Sequence, residues 1–303
     1  MSDNRINVCI ACDDNYSRYA GVVIASILSN ADTKDELYFY ILDGGITDEN
    51  IRLIDNLKRI KDCEINFIKV DNSLFDEYSK IKTNKYISLP GYYRLKIQEL
   101  LPNIDKVIYL DCDVVVNRSL KELFNTDLEG FPIGGVLDIN KRMLKKNPNY
   151  VNAGVLLIDI ENIRHSTFEQ KALEWTKEHA QTIKMGDQEI INEVLKGNIK
   201  ILKDNWNVQS SNFVNRSSYT HHPYIIHYVS SRKPWHFGSF SYHKKYYFDY
   251  LQLTDWKLSE EEKVYWYKKN KIASFFGYIK YRPLFFLRPR FWQAVYYTYI
   301  KKD

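Results

Sequence analysis

Asp111 and Asp113 stand two residues apart in the stretch Lys106-Val107-Ile108-Tyr109-Leu110-Asp111-Cys112-Asp113-Val114-Val115-Val116. An apolar, β-branched run of this kind predicts a buried strand. Side chains at i and i+2 of a strand point the same way, so the pair would offer two hard oxygen ligands to one ion. A buried carboxylate is costly unless a cation or a set of donors accompanies it. Divalent ions are often held by one or two carboxylates plus substrate phosphates, so the pattern indicates chemistry on a phosphorylated substrate. A simpler reading ends the strand at Asp111 and uses Asp113 to cap the next turn. Two further residues join the pair: His227, in the strand-like Tyr224–Tyr228, and Lys233, six residues later. Two carboxylates and an imidazole suit manganese, with phosphate oxygens completing the sphere. Lys233 and Arg94 would add positive charge toward the same phosphates. By itself, His227 also reads as a partly buried structural histidine.

The elements that must position these groups follow an α/β pattern. Ile6–Ala11, Leu37–Leu42 and Glu64–Val70 read as strands, separated by helical patterns over Tyr16–Ser29 and Asn50–Ile60, the second capped by Thr47 or Asp48. Such alternation predicts βαβ units and a mainly parallel sheet. A short helix over Tyr92–Leu101 carries Arg94. Further strands are expected at Phe131–Leu137 and Val155–Ile160, with helices over Ser119–Phe124, 161–180 and 187–196. Polar residues gather after strands, at Asp13 to Asn15, at Asp111 and Asp113, and at Asp138, where open α/β sheets bind ligands.

The whole chain sets wider limits. Its 303 residues suffice for one large domain plus an appendage. No stretch reaches the apolar length of a membrane span. The first residues, Met1-Ser2-Asp3-Asn4-Arg5, lead into a strand without a signal-peptide pattern, so a cytoplasmic location is expected. The four cysteines form no disulfide framework, and Cys9-x-x-Cys12 lies in an apolar run where core packing is the expected role. The net charge of +5 is unevenly placed: residues 268–303 carry nine Lys or Arg against Asp303 alone, with eleven aromatic residues among them. Basic and aromatic residues so mixed suit the interface of an anionic membrane, with nucleic acid not expected as a partner.

Six motifs in order resemble those of glycosyltransferase family 8, the group of bacterial lipopolysaccharide galactosyl- and glucosyltransferases and of glycogenin. They are Ala11-Cys12-Asp13-Asp14-Asn15-Tyr16, Tyr93-Arg94-Leu95, Leu110-Asp111-Cys112-Asp113, Asn152-Ala153-Gly154-Val155-Leu156-Leu157, Asp187-Gln188, and His227 with Lys233-Pro234-Trp235-His236. The resemblance spans about residues 6–240. It implies a glycosyltransferase type A fold, a Rossmann-like mainly parallel sheet with flanking helices. Residues 1–245 would form the transferase domain and 246–303 a helical, basic and aromatic membrane-association region.

The same resemblance implies roles. Asp111, Asp113 and His227 would bind Mn2+, with Mg2+ as the alternative ion. Ala11, Asp13, Asn15 and Tyr16 would hold uridine, and Arg94 and Lys233 would lie near the sugar and diphosphate. Tyr86, Cys112, Asn152 and Ser230 join Asp111 and Asp113 in the nucleotide-sugar set, Ser230 standing where relatives often have glycine. Asp138, Asn152, Asp187 and Gln188 would line the donor-sugar and acceptor pocket, with Gln188, Asp187 and Asp138 as catalytic candidates. The implied activity is transfer of galactose or glucose from a UDP-sugar to a glycan or glycolipid, with retention of configuration, on the inner face of the cell membrane. Two other readings are open at this level. One is a sugar-nucleotide-binding protein without turnover. The other is a haloacid-dehalogenase-like phosphatase, whose Asp-x-Asp strand Tyr109–Val115 imitates.

Overall fold

The computed structural model describes residues 4–81, 88–210, 223–229, 233–236, 239, 243–266, 287, 289 and 292. Among the described residues, ten strands fall into two sheets. β1 (Arg5–Cys12), β2 (Glu36–Asp43), β3 (Glu64–Lys69), β4 (Lys106–Leu110), β6 (Ile133–Leu137), β7 (Val151–Asp159) and β8 (Ile199–Ile201) form a seven-stranded sheet in the order β3-β2-β1-β4-β7-β6-β8. β5 (Val114–Val116), β9 (Val208–Gln209) and β10 (Ile225–His227) form a second, three-stranded sheet in the order β5-β10-β9. In the large sheet β7 alone runs against its neighbours, β4 and β6, and the other pairings are parallel.

The strands are apolar on both faces because both faces are covered. Ile6, Val8 and Ile10 of β1 point, with Phe39, Ile41, Ile108 and Leu110, toward Ala20, Val23, Ile24 and Ile27 of the helix Ser17–Asn30. Cys9, Tyr40, Leu42, Val107 and Tyr109 face the other way, toward Tyr93, Leu95, Ile163 and Phe168. A third cluster joins Val115 and Ile226 of the small sheet to Tyr247, Phe248 and Leu251. The helix Lys244–Leu251 thus packs on the body and runs through residue 245, and Trp256 and Leu258 belong to the same cluster. All four cysteines are free and buried, in accord with core packing.

Three local differences from the sequence pattern matter for the site. The run Lys106–Val116 is not one strand: β4 stops at Leu110, and Val114 restarts pairing in the other sheet, opposite His227. Pairing of β7 begins at Val151, so Asn152, Ala153 and Gly154 lie inside the strand, opposite β6 across a register shift at Gly135/Val136. The helical pattern at 161–180 divides at Thr167, whose φ of 54° is left-handed, into Ile160–Ser166 and Phe168–His179. Elsewhere the expected elements occur with small shifts, Arg94 lying in a 3-10 segment, Leu89–Lys96, that leads into Ile97–Leu100.

Candidate active site

The two aspartates occupy the joint where the chain leaves one sheet for the other. The Asp111 N–H donates to Gly154 O of β7 at 2.9 Å, and Asp113 O accepts from Tyr228 N, just beyond β10, at 2.9 Å. The strand alternation that the sequence implied therefore does not operate here. Backbone pairing to two sheets brings the carboxylates together instead. His227 Nε2 lies 3.1 Å from Asp113 Oδ1 and 3.9 Å from Asp111 Oδ2, and one ligand atom from each residue falls within 4.8 Å of the others. Space for this is made at Gly154, where a Cβ would lie 2.2 Å from His227 Cε1 and 2.7 Å from Asp111 Oδ2.

Each aspartate gives its other oxygen to a protein cation. Arg94, 5% exposed, places Nη2 2.5 Å from Asp111 Oδ1 and Nε 3.1 Å from Asp187 Oδ2. Its guanidinium also donates to Ala153 O and Gly91 O and stacks 4.1 Å from the Tyr109 ring centroid. Burial works against the Arg94 charge, but Asp111 and Asp187 more than offset it and raise its pKa. Lys233 Nζ lies 2.5 Å from Asp113 Oδ2 and donates to Tyr228 O at 2.8 Å. Burial alone would raise the Asp113 pKa; the Lys233 ammonium beside it is the largest influence the other way, and the carboxyl lies well below the usual carboxylate range. Asp187 goes the other way, pushed up to about 6 by burial, with Arg94 opposing and Asp111 adding to the rise.

Asp113 Oδ1 is buried and has no hydrogen-bond donor among the described residues. An ionised oxygen facing an imidazole nitrogen and a second carboxylate, all at close range, is a donor set that fits a divalent cation. Asp111, Asp113 and His227 would be its protein ligands.

A second cluster adjoins the first. Asp138 follows β6, and its Oδ2 accepts from Asn152 Nδ2 at 3.2 Å and from Gln188 Nε2 at 3.1 Å. Its Oδ1 accepts from Asn140 N at 2.6 Å. Gln188, at the start of the helix Asp187–Val194, accepts through Oε1 from Asn152 Nδ2 and Ala153 N, both at 3.1 Å. Asn207 then links Asn152 to His227: Nδ2 donates to Asn152 Oδ1 at 2.9 Å, and Oδ1 lies 3.2 Å from His227 Nδ1. Asn192 fixes the same strand by bonding Val151 N and O. Sequence reasoning missed Asn207 and Asn192. Neither lies within a motif, and the one local signal was that Asn207 follows a cluster of polar residues where the regular pattern stops.

The first loop completes the set on the β1 side. Asp13 caps a 3-10 turn by accepting from Tyr16 N at 3.1 Å, while Asn15 is exposed. Tyr16 is half-buried; burial, then the nearby Asp113 charge, pushes its phenol up to about 12. Cys112 is buried and donates to Ala11 O at 3.3 Å, tying the Asp-x-Asp turn to this loop. The fold therefore gathers Asp111, Asp113, His227, Arg94, Lys233, Asp138, Asn152, Asp187 and Gln188, with Ala11, Asp13, Tyr16 and Cys112 alongside. Tyr86 and Ser230 lie outside the described residues, as does nearly all of 268–303.

Comparison with known proteins bears on this geometry. The chain is 32% identical to a putative glycosyltransferase of Haemophilus influenzae, covering 76% of this chain and 73% of that protein. It is 27% identical to the lipopolysaccharide 1,2-glucosyltransferase of Escherichia coli, covering 83% and 79% respectively. Among solved structures, the galactosyltransferase LgtC in complex with donor and acceptor sugar analogues superposes with a TM-score of 0.73 at 27% identity, over 85% of this chain and 99% of that one. That match is the type A glycosyltransferase fold expected from the sequence. The sequence model described as Glycosyl transferase family 8 matches residues 7–238. With its fold, its Asp-Asp-His cluster and these similarities in agreement, the chain belongs to glycosyl transferase family 8, not to the phosphatases that its Asp-x-Asp stretch imitates.

Proposed function

We propose that this protein transfers a hexose, galactose or glucose, from a UDP-sugar to a glycan or glycolipid acceptor with retention of configuration, using Mn2+, with Mg2+ as the alternative ion. The observation that carries this reading is the convergence of Asp111, Asp113 and His227 beside the Asp138–Asn152–Gln188 network. Asp13, Asn15 and Tyr16 are assigned to the uridine, with Tyr86 and Ser230 extending the set. Lys233, already at the mouth of the Asp113 carboxylate, is assigned to the diphosphate. When bound, the cation supplies positive charge to the departing diphosphate.

The protein's own groups orient the sugar. Asp138 Oδ2 and Gln188 fix each other through hydrogen bonds, and the remaining faces of these groups would meet hydroxyls of the donor sugar. Gln188 is an uncharged amide and a poor nucleophile. Asp138 uses both oxygens as acceptors. Asp187 is held by Arg94 and by N–H groups at its helix start. With the nearby side chains so committed, a same-face substitution is favoured, in which the leaving phosphate oxygen takes the proton of the acceptor hydroxyl.

Residues 268–303 are assigned to an anionic membrane surface, which would place the enzyme on the inner face of the cell membrane, facing the cytoplasm. Among the described residues no helix is long and apolar enough to cross a membrane. Their basic and aromatic composition supports surface attachment rather than spanning.

UDP release from a panel of UDP-sugars, with Mn2+ and then with chelator, tests the reading. Metal-dependent release from one UDP-hexose, abolished in Asp113→Asn, is the expected result. Release that is indifferent to chelator and to Asp113→Asn would overturn it. Binding of a UDP-sugar with no turnover toward any acceptor would favour a binding protein.

A further inference from the structure

The orientation of two side-chain amides, Asn152 and Asn207, can be followed atom by atom from fixed anchors to His227. One anchor is the Gly154 backbone N–H, which can only donate, and it meets Asn152 Oδ1 at 3.1 Å. Another is the Asp138 carboxylate oxygen, which accepts from Asn152 Nδ2 at 3.2 Å. These two ends leave Asn152 a single orientation, with Oδ1 as an acceptor. The atom of Asn207 that faces Asn152 Oδ1 at 2.9 Å must then be its NH2 group. Asn207 Oδ1 is consequently the atom turned toward His227 Nδ1, at 3.2 Å. A carbonyl oxygen cannot donate, so the hydrogen of this contact sits on Nδ1.

We propose that Asn207 is a positioning residue that holds neutral His227 as the Nδ1–H tautomer, leaving the Nε2 lone pair aimed between Asp111 Oδ2 and Asp113 Oδ1. The tautomer of a metal-facing histidine is set by the partner of its other nitrogen. Here that partner is itself oriented through Asn152 by Asp138, one of the groups assigned to the donor sugar. Asn207 is 1% exposed, so water does not compete for the contact. The proposal rests on the reading of Asp111, Asp113 and His227 as a cation site.

The test needs no turnover. Long-range proton–nitrogen correlation spectra of the 15N-labelled full chain, at a pH where the ring is neutral, report the protonated nitrogen of His227, assigned by comparison with His227→Gln. The expected spectrum has a protonated Nδ1 and an unprotonated Nε2; an Nε2–H tautomer in the unaltered protein overturns the proposal. Calorimetric titration with Mn2+ alone then reads the consequence. Asn207→Leu should bind Mn2+ about 10- to 100-fold more weakly and show mixed tautomers. Asn207→Asp keeps an acceptor opposite Nδ1 and should retain the tautomer, while its second oxygen meets Asn152 Oδ1 without a hydrogen between them. Wild-type affinity in Asn207→Leu, or loss of the tautomer in Asn207→Asp, overturns the assignment. If Asn207→Leu does not fold, the unaltered protein and Asn207→Asp still decide. No Mn2+ binding by the unaltered protein, with Nδ1–H present, would sink the cation reading while leaving the placement of the proton standing.

Discussion

Lys233 Nζ sits 2.5 Å from Asp113 Oδ2, so a residue beyond β10 reaches back to a carboxylate 120 positions earlier in the chain. The contact ties the segment after the small sheet to the joint between the two sheets. It also leaves Asp113 Oδ1 as the oxygen turned toward His227. Removing the ammonium would take from Asp113 its nearest cation while Asp111 stays close by.

Lys233→Met should therefore lower stability by about 1–3 kcal/mol, and the loss should shrink in saturating Mn2+, because an ion bound to the folded state alone stabilises it. Urea unfolding with and without Mn2+ measures both quantities. An equal loss in the two conditions would show that Lys233 and the cation do not act on the same carboxylate.

Gly154→Ala places a methyl group 2.2 Å from His227 Cε1 and 2.7 Å from Asp111 Oδ2, so the ring or the aspartate must move. Overpacking of this kind costs about 1–3 kcal/mol. Mn2+ affinity should fall at least about tenfold, since ligand groups displaced from their positions bind poorly. Calorimetry showing unchanged affinity would contradict the close fit at this position.

Within the helix Ser17–Asn30, a Cβ at Gly21 would lie 2.4 Å from Trp256 Cζ3. Alanine is otherwise favoured over glycine inside a helix by about 1 kcal/mol. The sign of Gly21→Ala should thus depend on its neighbour: destabilising in the natural chain, stabilising when Trp256 is alanine. A thermal-denaturation double-mutant cycle reads this reversal, and additivity would mean that Trp256 does not rest on Gly21.

Glu169 accepts hydrogen bonds from Gln98 N and Glu99 N, and burial, partly opposed by these bonds, pushes its carboxyl up to about 7 from an ordinary 4.5. A raised carboxyl pKa means that the folded state retains a proton the unfolded state releases. Stability should then fall as pH rises from about 4.5 to about 7 and level off above. Glu169→Gln keeps an acceptor and removes the titration. The difference between the two proteins should grow in favour of the variant across that window. Parallel pH profiles would exclude Glu169 as the source.

The alternation of β-branched runs with amphipathic stretches announced a mainly parallel sheet with helices on both faces, because strands buried on both sides must be apolar throughout. The six short motifs announced the family, and they named the residues of the Asp111, Asp113 and His227 cluster and of the Asp138, Asn152 and Gln188 network, since those side chains are chemically distinctive at fixed local spacing. Sequence alone did not say how Asp111 and Asp113 meet. The strand expected to carry both ends at Leu110, and their convergence comes from hydrogen bonds to Gly154 in one sheet and to Tyr228 just beyond the other. Asn207 was equally hidden, for an asparagine has no signature until its partners, Asn152 at 55 positions and His227 at 20, are folded against it. Residue type and local period are written in the chain, whereas the pairing of groups distant along it is decided by packing, and in this protein the geometry of the Asp111, Asp113 and His227 cluster belongs to the second kind.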